Sequence, residues 1–365
     1  MSGPVCAAGP NLDTHHRLHR GTPLIDRRTF VGSLAWGALA LPGVVGAAKT
    51  VYRIGVLIPG AISADLVGPE PRNRTVNGFL RALRGRGYIY GEDFVIEARG
   101  GEGRRENYSR LASELIDLKL DVIVGAGPML WPLKKAVTSV PVVMAAAADA
   151  VEDGFAQSLA RPGGNFTGMS IQLAETTGKR LELLKDLVRS NAQVGVMWET
   201  GGAQGWHLVE IAARSRGWQV QSLEIRTAEE IERAFQTAHD ARAGALLVNG
   251  SGLFDRHAAL VTRLAVQYRL PAMYALARYV VDFGGLVSYS PNLVAIWERA
   301  AYYVDRILKG ATPGVLPIEQ PTEFELLINL TAATEIGLTV PQSFRLRATE
   351  AIELPAPDRN SKVRP

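Results

Sequence analysis

The chain has 365 residues, 40 basic against 36 acidic, and one cysteine, Cys6. The net charge of +4 falls to +2 once residues 1–48 are set aside, a near-balance that is not the footprint of a nucleic-acid binder, and a single cysteine excludes an internal disulfide framework. The length suits two lobes of ordinary domain size better than one core.

Residues 1–25, with His15, His16 and His19, read as a leader that holds no metal site. Arg27-Arg28 then precede Phe30–Ala48, an apolar run without a charge. A spanning helix wants about 20 strongly apolar residues, and Gly32, Gly37, Pro42, Gly43 and Gly46 interrupt this one. A basic start, an apolar middle and a small-residue end is the pattern of a cleaved export signal, with cleavage expected after Ala47 or Ala48. The paired arginines match a twin-arginine signal, although Asp26 stands where Ser or Thr is usual. Residues 1–48 hold four arginines and two aspartates, so the charge of the remainder drops from +4 to +2. Cys6 leaves with them. It precedes the apolar run, so it cannot be a lipid-attachment site. The expectation is a soluble periplasmic monomer.

Short apolar strands then alternate with helices. Strands are predicted over 51–58, 94–98, 121–125 and 141–144, with helices over 71–86 and 105–118 and another opened by Pro128. The turn-rich stretch Ala160–Asn165 joins this block to a second one. There, strands are predicted over 193–198, 220–225, 245–248, 272–274 and 285–289. The helices run over 203–216, 228–241, 253–268 and 293–308. Strand 324–330 and a short helix follow. Such alternation predicts an α/β protein with parallel sheets covered on both faces, in two doubly wound Rossmann-like lobes. Ligands of such sheets bind beyond the carboxyl ends of the strands. Two lobes facing one another therefore make a cleft lined by those loops.

Four stretches carry a more specific signal: LARPGGNFTGMS (Leu159–Ser170), GKRLELLKDL (Gly178–Leu187), PAMYALARYVVDFGGLVSYSPN (Pro271–Asn292) and LPIEQPTEFELLINLTAATEIGLTVPQS (Leu316–Ser343). They resemble the family of ABC-transporter substrate-binding proteins that includes tryptophan- and tyrosine-binding lipoproteins. The resemblance runs over residues 51–355. It implies a type I periplasmic-binding-protein fold with a three-strand hinge. Lobe one would be 51–168 plus 288–318, lobe two 169–287 plus 319–355, with a tail at 356–365. It further implies a small organic ligand, an amino acid or aromatic compound, delivered to an ABC permease without a cofactor or metal.

Candidate ligand groups follow from the strand-end loops. Ser63 lies in a small-residue loop after the first strand, where glycine permits close backbone approach. Gly127 opens a helix whose amides suit an anion, and Trp131 follows, able to stack on an aromatic ligand or to pack within its helix. Asp149 matches the family's Asp in a Gly/Thr-Asp-Pro-Val segment and could hold an ammonium or cap the next helix. Trp198 begins a Trp-Glu-Thr-Gly-Gly loop where the family usually has an Asn-Pro-rich one. Ser251 follows the strand at 245–248. Tyr274, Arg278 and Asp282 match a Tyr-x3-Arg-x3-Asp stretch. If that stretch is helical, Arg278 sits beside both neighbours and either reaches a ligand carboxylate or pairs with Asp282. His207, His239 and His257 are scattered and imply no metal.

Gly125-x-Gly127 is also a partial dinucleotide fingerprint, so a dinucleotide-dependent oxidoreductase is the enzyme alternative. It lacks the third glycine and sits in a later βα unit. No nucleophile elbow or HExxH pair accompanies it. A regulator core shares the fold, but no helix-turn-helix precedes residue 51. A periplasmic receptor serving a membrane signalling protein remains the nearer alternative.

Overall fold

A computed structural model describes residues 51–136, 139–188 and 192–355. The leader, its arginine pair and apolar run, Cys6 and the tail at 356–365 lie outside the described residues. The described residues form one compact unit.

The first lobe is built from β1 (Tyr52–Ile58), α1 (Arg74–Arg84), β2 (Phe94–Gly100), α2 (Tyr108–Asp117), β3 (Val122–Ala126), α3 (Leu130–Lys135), β4 (Val142–Ala147) and β5 (Phe166–Ser170). Its sheet is parallel throughout, in the order β2-β1-β3-β4-β5. The chain then forms α4 (Leu173–Leu187), β6 (Val194–Glu199), α5 (Ala203–Arg214), β7 (Val220–Ile225), α6 (Glu230–Asp240), β8 (Ala245–Val248), α7 (Gly252–Arg256), α8 (Ala258–Gln267), β9 (Ala272–Tyr274), α9 (Arg278–Val281) and β10 (Val287–Pro291). It continues through α10 (Leu293–Leu308), β11 (Phe324–Asn329), α11 (Leu330–Ile336), α12 (Gln342–Arg345) and β12 (Glu350–Ile352). The second sheet runs β12-β11-β10-β9-β8-β6-β7, with β11 antiparallel to β10.

Each sheet is covered on both faces. Residues of α1 and α10, among them Phe79 and Trp297, pack against Ile54, Val56 and Val124 on one face of the first sheet. Leu57, Ile123 and Met144 meet α2 and α3 on the other. The second sheet is clad in the same way by α4, α5 and α11 on one side and α6 and α8 on the other. Thus α10 follows a strand of the second sheet yet belongs to the first lobe's core.

Three passages link the lobes. The first is Ile171-Gln172 between β5 and α4, where Gln172 adopts a left-handed φ of 51°, a conformation that costs a non-glycine residue of order 1 kcal/mol. The second is Asn292, where β10 turns into α10. Its side chain accepts from Ala295 N at 2.9 Å and caps that helix. We expect Asn292→Ala to lower the unfolding free energy by about 1 kcal/mol, the usual worth of such a cap, measured by urea denaturation. The third passage leaves Glu319, whose carbonyl accepts from Ser170 N at 2.9 Å and ties this segment to β5.

Several elements differ from the periodicity reading. The helix predicted over 253–268 is broken at His257, whose φ of −108° and ψ of 25° are non-helical. Strand β5 and helix α4 escaped the pattern because FTGMS carries no alternation and because α4 buries Thr176, Thr177 and Arg180 beside its leucines. Tyr274 ends a strand, so the helical pairing expected between Tyr274 and Arg278 does not form. Among the described residues no helix is long and apolar enough to cross a membrane.

Candidate functional site

Loops beyond the carboxyl ends of β1 and β2 touch loops beyond the carboxyl ends of β6 and β8, closing the cleft between the lobes. A Cβ placed on Gly60, after β1, would stand 2.9 Å from Asp255 Cβ and 3.3 Å from the Gly252 carbonyl oxygen. One on Gly252 would stand 2.4 Å from the Tyr108 hydroxyl and 3.2 Å from the Pro59 carbonyl oxygen. Neither closest distance leaves room for a side chain, so these glycines permit the lobes to close. Two arginines of the first lobe reach across. Arg105 donates through Nη2 to the Gly201 carbonyl at 3.0 Å and places Nε 3.9 Å from Glu199 Oε1. Arg74 pairs with Asp282 at 3.2 Å.

The charged groups of the second lobe sit where β6, β8 and β9 end. Glu199 closes β6 and is only 6% exposed. Burial raises its pKa above the ordinary glutamate range, against the lowering effect of Arg105, the Ser251 hydroxyl and the Leu253 amide. Its Oε2 is buried without a hydrogen-bond partner. Asp255, on α7, keeps some surface accessible, but its carboxyl is enclosed by Gly60, by Arg278 and by Tyr279, whose hydroxyl donates to Oδ1 at 2.9 Å. Burial pushes its pKa from the ordinary 3.8 up to about 6, and Arg278 opposes that rise.

This raised value has a signed consequence. Between 3.8 and about 6 the enclosed Asp255 holds a proton that the unfolded chain has released, so stability falls as pH rises through that window. Glu199 acts in the same direction. We expect Asp255→Asn, which can still accept from Tyr279, to flatten the pH dependence of the unfolding midpoint over that range and to raise it at pH 7. Thermal melts across pH 4 to 8 measure both effects (about two pH units either side of the raised value).

The sequence-derived candidates divide. Ser63 begins a short turn, and its Oγ accepts from Gly100 N at 2.9 Å, bracing two strand-end loops. Gly127 has a φ of 55° and faces Pro59; the α-helix beyond it, α3, is six residues long. Trp131 lies on that helix, packed against Phe155 at 5.1 Å with Lys134 over its ring at 5.2 Å. Asp149 accepts from Val151 N at 2.9 Å and Glu152 N at 3.0 Å as a turn cap. It also lines a cavity of about 140 Å³ with Gln172, Glu175 and, from α5, Leu208.

In the second lobe, Trp198 donates to Ser222 Oγ at 2.8 Å and stacks on Trp206 at 6.2 Å, on the β7 and α5 side. Its neighbour Glu199 is the residue that meets Arg105. Ser251 caps α7 through Phe254 N at 3.1 Å and also meets the Glu199 carboxylate. Tyr274 is fully buried and stacks on Tyr279 at 4.9 Å. Arg278 opens α9, 4.0 Å from Asp282. Sequence reasoning missed Arg105, Tyr108, Glu199 and Asp255.

Comparison with known proteins bears on this two-lobed cleft. The family model for ABC transporter substrate binding proteins matches residues 61–352. The chain belongs to that family. A tyrosine-binding protein of Clostridioides difficile is 25% identical over 270 residues, 73% of this chain and 77% of the relative. A conserved domain protein from Vibrio cholerae superposes with a TM-score of 0.74 at 24% identity, covering 83% of this chain and 100% of that one. A domain from Streptococcus pneumonia, solved in complex with L-Trp, superposes with a TM-score of 0.72 at 22% identity and the same coverage. The substrate-binding protein therefore has the type I periplasmic-binding-protein fold, in a family of binding proteins rather than enzymes. The partial glycine fingerprint is simply the turn after β3. Among the described residues no group of three or more His, Cys, Asp or Glu could hold a metal ion.

Proposed function

We propose that this substrate-binding protein captures an amino acid, with aromatic side chains as the first class to test, and delivers it to an ABC permease. The observation that supports this most is the cleft itself. Two glycine-lined loops meet face to face, with enclosed carboxylates and partly exposed guanidinium groups beside them. A zwitterion presents the complementary charges. The tyrosine-binding relative and the L-Trp complex of a protein with the same fold favour the same class. The export signal read at residues 26–48 fits a periplasmic monomer.

Capture needs no covalent step. Ligand contacts that span both lobes exist only when the lobes are closed, so binding shifts the population toward closure. The three passages absorb the rotation, and the closed surface is what a permease reads. A thermal-shift panel of amino acids, aromatic acids and nucleosides tests the reading. A ligand at about a hundredfold excess over its dissociation constant adds about 2.7 kcal/mol to native stability. The expected result is a selective rise with tyrosine, tryptophan or phenylalanine. A rise confined to nucleosides or to acids without an amino group rejects the amino-acid class.

A further inference from the structure

We propose that Glu199 and Asp255 form the subsite that takes the positively charged amino group of the ligand, an inference that rests on the amino-acid reading above. The two carboxylates enter the cleft from the ends of β6 and from α7. The first lobe faces this region with Gly60 and Gly103, which carry no side chains, and with the Tyr108 hydroxyl. A Cβ on Gly103 would come 2.6 Å from the Gly252 carbonyl oxygen, and the first-lobe cation on that side, Arg105, stands with Nε 3.9 Å from Glu199 Oε1.

Glu199 shows what is missing. The residue is 6% exposed, and Oε2 is buried with no hydrogen-bond partner. Ser251 and the Leu253 amide support the group, and Arg105 Nε at 3.9 Å is beyond hydrogen-bond reach. A buried, unsatisfied carboxylate oxygen is costly and calls for a donor. Asp255 has one donor, Tyr279, at 2.9 Å, and a carboxylate accepts several more. Burial raises the pKa of both carboxyls, and the nearby arginines oppose that rise without cancelling it. An ammonium brings three donors and a full positive charge. Arg105, which donates to the Gly201 carbonyl, and Arg278, 4.0 Å from Asp282, each keep further N–H groups for the ligand carboxylate.

The competing role for Glu199 is a latch that Arg105 grips when the lobes close. Matched ligands separate the two. Calorimetric titration of the wild type and Glu199→Gln would use L-tyrosine and L-tryptophan beside their desamino analogues, hydroxyphenylpropionate and indole propionate. The subsite predicts that Glu199→Gln weakens both amino acids by about thirtyfold or more, as truncating a buried charge partner does. The desamino analogues should change by less than about threefold. Equal losses for both ligand types would overturn the subsite and leave the latch. Undiminished amino-acid binding would overturn it as well. Wild-type binding of the desamino analogues in preference to the amino acids would reject the amino-acid reading itself. Asp255→Asn provides a second variant, with the same selective loss expected, and a urea midpoint for each variant shows that it is folded.

Discussion

Gly60→Leu is expected to raise the dissociation constant for the captured ligand by about a hundredfold or more, with little change in fold stability. Apparent affinity scales with the fraction of molecules able to adopt the closed form. In the closed form a Cβ at this position already lies 2.9 Å from Asp255 Cβ and 3.3 Å from the Gly252 carbonyl oxygen. A leucine extends well beyond that Cβ, and the obstacles include backbone, which cannot step aside as a flexible side-chain tip can. The lobes must then stay apart. Gly60 has no left-handed φ, so a larger residue fits its local backbone when the cleft is open. Binding and folding should therefore separate. Calorimetric titration beside a urea midpoint measures both, and a Gly60→Leu protein that binds as tightly as wild type would show that this contact is not part of capture.

Arg180→Met is expected to act on stability instead, lowering the unfolding free energy by about 2–4 kcal/mol. Arg180 lies on α4, is only 3% exposed, and donates to the Tyr289 carbonyl at 2.8 Å and the Ala275 carbonyl at 3.1 Å. The β9–β10 ladder stops at the Ser288–Tyr274 pair. The guanidinium takes over just beyond it, joining the two backbones where β10 heads for the first lobe. Burial lowers its pKa to about 10, so it stays charged at neutral pH. Methionine fills similar space but offers no donor, leaving two carbonyls unpaired in the interior at about 1–3 kcal/mol each. Relief from burying a cation offsets part of that loss, which is why the expected total stays below the simple sum. Arg180→Lys should recover part of it, because a single ammonium cannot match both of the fork's directions. Urea denaturation of the three proteins measures the series.

Much of the fold was legible because apolar runs and helical spacing alternate cleanly. The runs Val220–Ile225, Ala245–Val248 and Ala272–Tyr274 and the helix Leu293–Leu308 coincide with observed elements. Local pattern failed where tertiary burial overrides it. Helix α4 buries Arg180 and two threonines, so no apolar stripe announces it. Ser251 and His257 set α7 apart from α8, through a cap at the start and a break at the end.

The site was less legible than the fold for a geometric reason. Topology says that loops beyond the strand ends line a cleft, but it does not say which side chain points inward. Adjacent strand residues face opposite ways, and one step separates Trp198, packed on Trp206, from Glu199, which meets Arg105. Tyr274 shows the same limit: it ends β9 yet turns wholly into the core. Arg105 and Gly201 are far apart in sequence and touch only across closed lobes, so no local motif could pair them.

The most direct test of the account is a calorimetric titration of the purified protein with L-tyrosine and L-tryptophan. The account predicts saturable binding at one site per chain. No saturable heat with any aromatic amino acid, beside tight one-site binding of a solute that lacks an amino group, would contradict it.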